Sequence, residues 1–339
     1  MVTSADETIA LMRDAAPAPS SDTMERIRST TGAAIASFTR TMGLSDDQSA
    51  VVANTWDDFR DDERWTSLLA SLVTLVEVQR GDIDAPVPIW DDLDDAGVFG
   101  RIFYFYLFAL CAPGTIDFLT EAKCPATVID LTMTVLRKLS TLHERKWRSF
   151  GVETGWWLFP VLRGELIQVG SLWFHRVNLG VGSLSPDPWF DDQQAARLGV
   201  GFRRGDPSIG IHIPQDTALD PTTLDATFEE GRRVIAAMWP TMGRRLATCQ
   251  SWMLDPQLQS YLAHDSNIVA FQRRFHVISD WAPTWANGDD SIVEFAFRSP
   301  GTPLADLPRA TTLQRAIHTH LERGGHWYVQ PGWLDFDGV

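Results

Sequence analysis

Cysteine is scarce in this chain. Cys111, Cys124 and Cys249 are the only three in 339 residues, an odd number with no CxxC pair, which excludes a disulfide framework and the common zinc spacings. No metal is therefore expected, and a reduced, cytoplasmic setting is. Cations are in deficit as well: 29 Lys and Arg stand against 44 Asp and Glu, a formal net charge of −15. Binding to a phosphate backbone rests on clustered cations, so no nucleic-acid partner is expected. Long apolar runs are also missing. The longest, VFGRIFYFYLFALCAP, contains Arg101 and is closed by Pro113, short of the roughly 20 residues of a bilayer span. It reads as a buried helix, without a membrane partner. The start, MVTSADETIALMRDAAPAPSSD, is acidic and lacks the pattern of a secretory signal.

What is present points to two domains, because 339 residues exceed the size at which one core usually stops growing. Residues 1–20 end in a Pro-, Ala- and Ser-rich string and read as a flexible leader. From Ser21 or Asp22, each a candidate cap, helical periods continue to residue 150, with Ser45 capping a further helix and Gly81 ending DDERWTSLLASLVTLVEVQRG. Helices are expected at 98–110 and 114–122, then over ATVIDLTMTVLRKLSTLHERKW. Residues 21–150 thus read as an all-α domain. Near Gly151 the texture changes to short runs rich in Val, Ile, Trp and Phe, among them GWWLFPVLRG, ELIQVGSLWFHRVNL, GVGFRR and SIGIHIP. Helices separate the strands from Asp220 onward, as parallel pairing requires. Residues 151–339 are therefore expected to form an α/β domain with a mixed sheet.

Four signatures follow in order: SIGIHIP, LDPTTLDATFEEGRRVIAAMWP, ATCQSWMLDPQL and SNIVAFQRRF. They read as strand, helix, strand, helix. This order resembles the cofactor-binding core of the GNAT superfamily of acyl-CoA N-acyltransferases. With RGELIQVG before it and GGHWYVQPGW after it, the pattern, from about residue 50 onward, resembles actinobacterial acyltransferase-domain proteins that join a helical N-terminal domain to a GNAT-like C-terminal domain. The resemblance implies two splayed strands with an acyl thioester across the gap. It also implies acetyl-CoA or another acyl-CoA as co-substrate, a small-molecule amine as acceptor, and a helical domain covering the acceptor side.

Carried onto this chain, the resemblance places the thioester carbonyl on backbone at 212–214, with Ile213 central, and the pyrophosphate at the helix that starts near Asp220 or Thr222. Asp216 and Asp220 oppose an anion there. The family's R/Q-x-x-G-x-G/A loop is replaced by QDTALDPTT, without glycine. ARLGVGF at 196–202 has Ala196 in place of Arg or Gln and precedes the strand, so it is taken as a decoy hairpin. SNIVAFQRRF resembles the N-x-x-A segment, with Asn267 toward the cofactor and Ala270 at the packing site. The Tyr general acid expected seven residues on is Arg274, which cannot donate a proton. Arg273 or Arg274 is instead a partner for a cofactor phosphate, or simply a solvated helix end.

The residues themselves offer further chemistry. His212 lies on the strand beside the expected gap and suits a base for N-acyl transfer, or else is a hydrogen-bonded core histidine. Cys249 and Ser251 share one strand face and are expected to face His212 across the gap, either as proton donor. Cys249 also reads as an acyl-enzyme nucleophile or as a small buried apolar residue. Glu165 is a candidate base held by Arg163, or half of an edge ion pair. Asp255 reads as an N-cap with Pro256 at the first helical position. His318, His320 and His326 do not form a metal site, because residues two apart on a helix point to different sides. Trp156, Trp157, Trp173 and Trp252 read as core on strands. The expectation is direct acyl transfer to an amine; a non-catalytic sensor or scaffold on a degenerate fold and a Cys-dependent transferase or thioesterase are the alternatives.

Overall fold

The computed structural model describes residues 4–86, 89–179, 193, 196–197, 203–215, 217, 219–242, 245–278, 288–297 and 302–338. Of ARLGVGF, positions 198–202 lie outside these, as do most of GVGFRR and Asp216. The chain divides into two compact units, one running to Ile167 and the other beginning at Gln168.

The first unit is helical: α1 (Ala5–Ala15), α2 (Ser21–Ser29), α3 (Gly32–Thr41), α4 (Asp46–Asp61), α5 (Glu63–Val78), α6 (Gly97–Glu121), α7 (Ala126–Met133), α8 (Val135–Trp147) and α9 (Leu158–Leu162). The expected leader carries α1. Its Ser4 and Glu7 form a reciprocal capping box, and Ile9 and Met12 are buried, so a cap and a short apolar face outweigh the Pro/Ala/Ser string after them. Ser20, not Ser21 or Asp22, caps α2, and Ser45 caps α4 with Gln48 at the third position.

Pro113 does not end its helix. It sits inside α6, which runs unbroken through the two helices expected at 98–110 and 114–122. A proline normally costs an interior helix about 3 kcal/mol. Here the residues flanking the exposed proline, Cys111, Ala112, Thr115 and Leu119, are buried, and their packing holds the helix together across it. By length and composition alone α6 would pass for a membrane span, yet most of its apolar stretch is buried. Trp56, Phe59 and Tyr106 pack on one another, and the Tyr106 hydroxyl donates to the Val52 carbonyl at 2.8 Å. GWWLFPVLRG is not strand. Gly155–Trp157 is a 3-10 turn leading into α9, so Trp156 and Trp157 belong to helix, and the change of texture at Gly151 lies within the first unit.

The second unit is built on a six-stranded mixed sheet of order β1-β2-β3-β4-β6-β5. The strands are β1 (Leu166–Val169), β2 (Leu172–Asn178), β3 (Pro207–His212), β4 (Leu246–Ser251), β5 (His276–Val277) and β6 (Gln330–Asp335). Helix α10 (Pro221–Met238) connects β3 to β4, and α11 (Asn267–Gln272) follows β4. SIGIHIP, the long helix, ATCQSW and SNIVAF thus form the strand–helix–strand–helix order read from the sequence. The crossover makes β3 and β4 parallel, while β2–β3, β4–β6 and β5–β6 are antiparallel. Gly231 of α10 allows the helix to approach the sheet: a Cβ there would lie 2.7 Å from the Phe174 ring. Helices α12 (Gly288–Phe297) and α13 (Thr312–Glu322) share a separate apolar cluster with Trp252, Leu258, Leu307 and Trp327. Trp252 opens a 3-10 turn just past β4 instead of extending the strand.

Candidate functional site

The site is a fork in the sheet. β3 and β4 pair at only three positions, Ser208 with Leu246, Ile209 with Ala247 and Gly210 with Thr248. Beyond Gly210, β3 stays with β2 as far as the Trp173–His212 pair. Beyond Thr248, β4 stays with β6 as far as Ser251–Gln330. Each strand keeps its outer neighbour and the two inner ones part. At about 3.3 Å per residue the arms run roughly 7–10 Å past the last shared pair.

Register decides which side chains share a face, because neighbours directly opposite in a sheet point the same way. Trp173 and His175 of β2, Gly210 and His212 of β3, and Thr248 and Gln250 of β4 lie on one face. Phe174, Ile209, Ile211, Ala247, Cys249 and Ser251 lie on the other, where Phe228 of α10 meets Phe174 edge-on at 6.3 Å. Cys249 and Ser251 do share a face, as expected, but it is not the face of His212. The offset set by the Gly210–Thr248 pair puts Thr248 and Gln250 opposite His212 instead. Cys249 is buried, which pushes its thiol up to about 12. The Ser251 hydroxyl accepts the Met253 N–H at 3.1 Å and caps the turn that follows.

His212 is half-buried at the end of β3. Burial first, and then the repulsion that a charge on neighbouring His175 would add, push its imidazole down to about 3, so it is neutral at physiological pH. The two rings are 5.5 Å apart between centroids. Ile213 is half-buried just past the strand end, at the mouth of the fork.

At the first turn of α10, Asp220 caps the helix by accepting the Thr223 N–H at 2.9 Å, and Pro221 takes the first position. Arg274 reaches this turn. Its guanidinium is 2.7 Å from Asp225, donates to the Pro221 carbonyl at 3.3 Å and lies 5.7 Å over the Phe228 ring. Arg273 is exposed, and Asn267 is exposed at the first position of α11, which Ser266 caps. Asp255 caps the turn starting at Pro256, as its sequence indicates, and also accepts the Tyr328 N–H. The three C-terminal histidines do not converge on one point: His318 meets the Leu307 carbonyl, His320 the Tyr261 hydroxyl and the His326 carbonyl, and the His326 ring the Asp289 carboxylate.

Glu165 belongs to the first unit. It is buried against Arg163 at 2.8 Å, and Arg163 also donates to Gln79 and to the Ala85 and Pro86 carbonyls. This is an interior pair, not the exposed edge pair that a two-residue spacing suggests. Sequence alone does not single out His175 or Thr248, and it places Gln250 only on the strand face opposite Cys249. For His175 a signal existed, since Trp173 and His175 alternate within LWFHR, but that alternation was visible only as apolar bias.

The model of the N-acyltransferase N-terminal domain family matches residues 33–164, and that of the GNAT-like C-terminal domain family matches 166–334. The chain belongs to the GNAT-type N-acyltransferases. Solved structures agree with this assignment over nearly the whole length. An acyltransferase in complex with decanoyl-CoA and teicoplanin is 28% identical, with a TM-score of 0.79 over 96% of this chain and 94% of that one. An acyltransferase mutant in complex with octanoyl-CoA is 28% identical, with a TM-score of 0.79 over 96% and 93%. An acyltransferase in complex with CoA and 10C-teicoplanin is 29% identical, with a TM-score of 0.74 over 88% and 86%. No curated protein matches the chain. The acyltransferase thus combines a helical first unit with a GNAT-like second unit built on a forked, mixed six-stranded sheet.

Proposed function

We propose that this acyltransferase moves a medium-length acyl group from acyl-CoA to a primary amine on a bulky small molecule, by direct attack of the amine on the thioester. The fork between β3 and β4 carries this reading, because it opens backbone edges at the end of parallel strands whose crossover helix starts close by. In this reading, backbone at His212 and Ile213 holds the thioester carbonyl. The first turn of α10 takes the pyrophosphate, and Arg274 offsets the charge of Asp220 and Asp225. Asn267, and Arg273 from its exposed position, reach the cofactor from α11.

The octanoyl and decanoyl thioesters held by the similar acyltransferases favour a chain of about that length over acetyl, and their teicoplanin complexes favour an acceptor of that size. Acyl-CoA is an intracellular metabolite, which favours the cytoplasm as the place of reaction. Holding both substrates in attack geometry supplies most of the rate.

Calorimetric titration with decanoyl-CoA, octanoyl-CoA, acetyl-CoA and free CoA tests the reading. Micromolar binding that tightens with chain length and weakens in Asn267→Ala is the expected result. Absence of binding by every thioester would overturn it.

A further inference from the structure

Two histidines from adjacent strands, His175 on β2 and His212 on β3, stand side by side on one sheet face where the fork begins. His175 lies directly opposite Gly210, and His212 directly opposite Trp173, so the two are diagonal neighbours across the strand pair. Gly210 keeps the space between them open. A Cβ there would lie 3.4 Å from both the His175 Cβ and the His212 Nε2. The adjoining positions on β4, namely Leu246, Thr248 and Gln250, carry no charge. Asp335 on β6 and His276 on β5 share the face but lie farther across the sheet. Among the described residues, the group whose charge would act on His212 is His175.

His212 is by itself a poor acceptor for the proton of an attacking ammonium, because burial disfavours its charged form. A second imidazole 5.5 Å away between centroids changes the chemistry. Two close, desolvated rings titrate as a pair that takes one proton readily and resists a second. We propose that His175 and His212 work as one proton-holding pair in acyl transfer, His212 facing the amine and His175 acting as the positioning residue that keeps His212 unprotonated and takes up the proton it receives. This rests on the acyl-CoA reading given above.

The protons balance as follows. The amine arrives as an ammonium with three. One goes to the pair and later to water. The nitrogen lone pair then forms the C–N bond to the thioester carbon, and the C–S bond breaks with its electrons on sulfur. The second proton goes to that sulfur, giving the CoA thiol, and the third stays on the amide nitrogen.

Histidine NMR titration and thiol-release kinetics together test the pair, using decanoyl-CoA with deacylated teicoplanin as the amine. In the wild-type protein one of the two imidazoles is expected to titrate between pH 5 and 8 while the other does not. In His175→Gln, His212 should titrate at higher pH than before, kcat should fall about 100-fold, and the acid limb of the rate profile should move. Gly210→Ala, which places a methyl group between the rings and leaves both histidines intact, should shift the same limb in the same direction. His175→Asn covers the case in which the glutamine variant fails to fold. An unmoved His212 titration, or a rate within about 3-fold of wild type with an unchanged acid limb, would overturn the pair. Failure of the wild-type protein to bind decanoyl-CoA would instead remove the acyl-CoA reading, and the catalytic role of the pair with it. If binding persists without transfer to this amine, the titrations alone decide, and two independently titrating imidazoles overturn the pair.

Discussion

Arg163 and Glu165, two positions apart in sequence, form an ion pair closed off from solvent, with the Arg163 Nη2 donating to the Glu165 Oε2 at 2.8 Å. Removing one partner of such a pair leaves a desolvated charge and typically costs about 3–5 kcal/mol. Arg163 would retain Gln79 and two backbone carbonyls, so Glu165→Ala should lose about 3 kcal/mol and Glu165→Gln less. Urea denaturation measures the loss. If the role is structural, folded Glu165→Gln keeps a kcat within a few-fold of wild type. A drop of 100-fold with an unchanged midpoint would instead make Glu165 the base.

Asp92 should make the helical unit more stable in mild acid. Its carboxylate accepts the Thr154 and Gly155 N–H groups at 3.0 Å each, yet burial outweighs both bonds and raises its carboxyl from 3.8 to about 6. The folded state therefore holds the proton more tightly than the unfolded chain. The resulting stability is fully present below pH 3.8 and is lost as pH rises through 6. A shift of this size corresponds to about 3 kcal/mol. Neighbouring His143 adds a slope of the same sign: burial opposes its protonation, but its bonds to Asp94 and the Ser149 carbonyl prevail and raise it. Denaturation at a series of pH values, wild type minus Asp92→Asn, should show the difference between pH 4 and 7. An identical pH slope in the two proteins would refute the assignment.

Much of the second unit was legible because its signals are local. SIGIHIP alternates, Asp220-Pro221 starts a helix, and Gly324 has a positive φ after α13. The side of the sheet taken by Cys249 was not legible, because it depends on a three-residue register between strands separated by a helix. A shift of one residue would have reversed it. The helical unit misled reading in two places for one reason: tertiary burial overrode local punctuation, at Pro113 within α6 and in GWWLFPVLRG, where strand-like residues pack as helix. The depth of Arg163 was equally hidden, since its partners Gln79, Ala85 and Pro86 come from some 80 residues earlier in the chain.

Arg274 should matter for cofactor affinity more than for turnover. It bonds Asp225 and the Pro221 carbonyl at the first turn of α10, where the proposed pyrophosphate would meet two carboxylates without it. Arg274→Ala should weaken decanoyl-CoA binding about 10-fold or more and leave kcat at saturation within a few-fold. Charge-assisted bonds of this kind are worth roughly 1.5–3 kcal/mol. Calorimetry and saturation kinetics separate the two effects. Unchanged affinity would place the phosphates elsewhere.

Cys249 should be dispensable. Its thiol is buried on the α10 face of β4, on the other side of the sheet from His212, and burial pushes it up to about 12, so almost no thiolate exists at neutral pH to attack a thioester. Cys249→Ser should keep kcat within about 3-fold of wild type, while losing about 1–2 kcal/mol of stability from a hydroxyl placed in an apolar site. Alkylation by iodoacetamide should be slow in the native protein and fast in urea. Direct transfer predicts the retained kcat, and burial of the thiol predicts the other two results. A folded Cys249→Ser protein that binds decanoyl-CoA yet transfers nothing would mean that the acyl group passes through the sulfur, and that the strand turns over to present it.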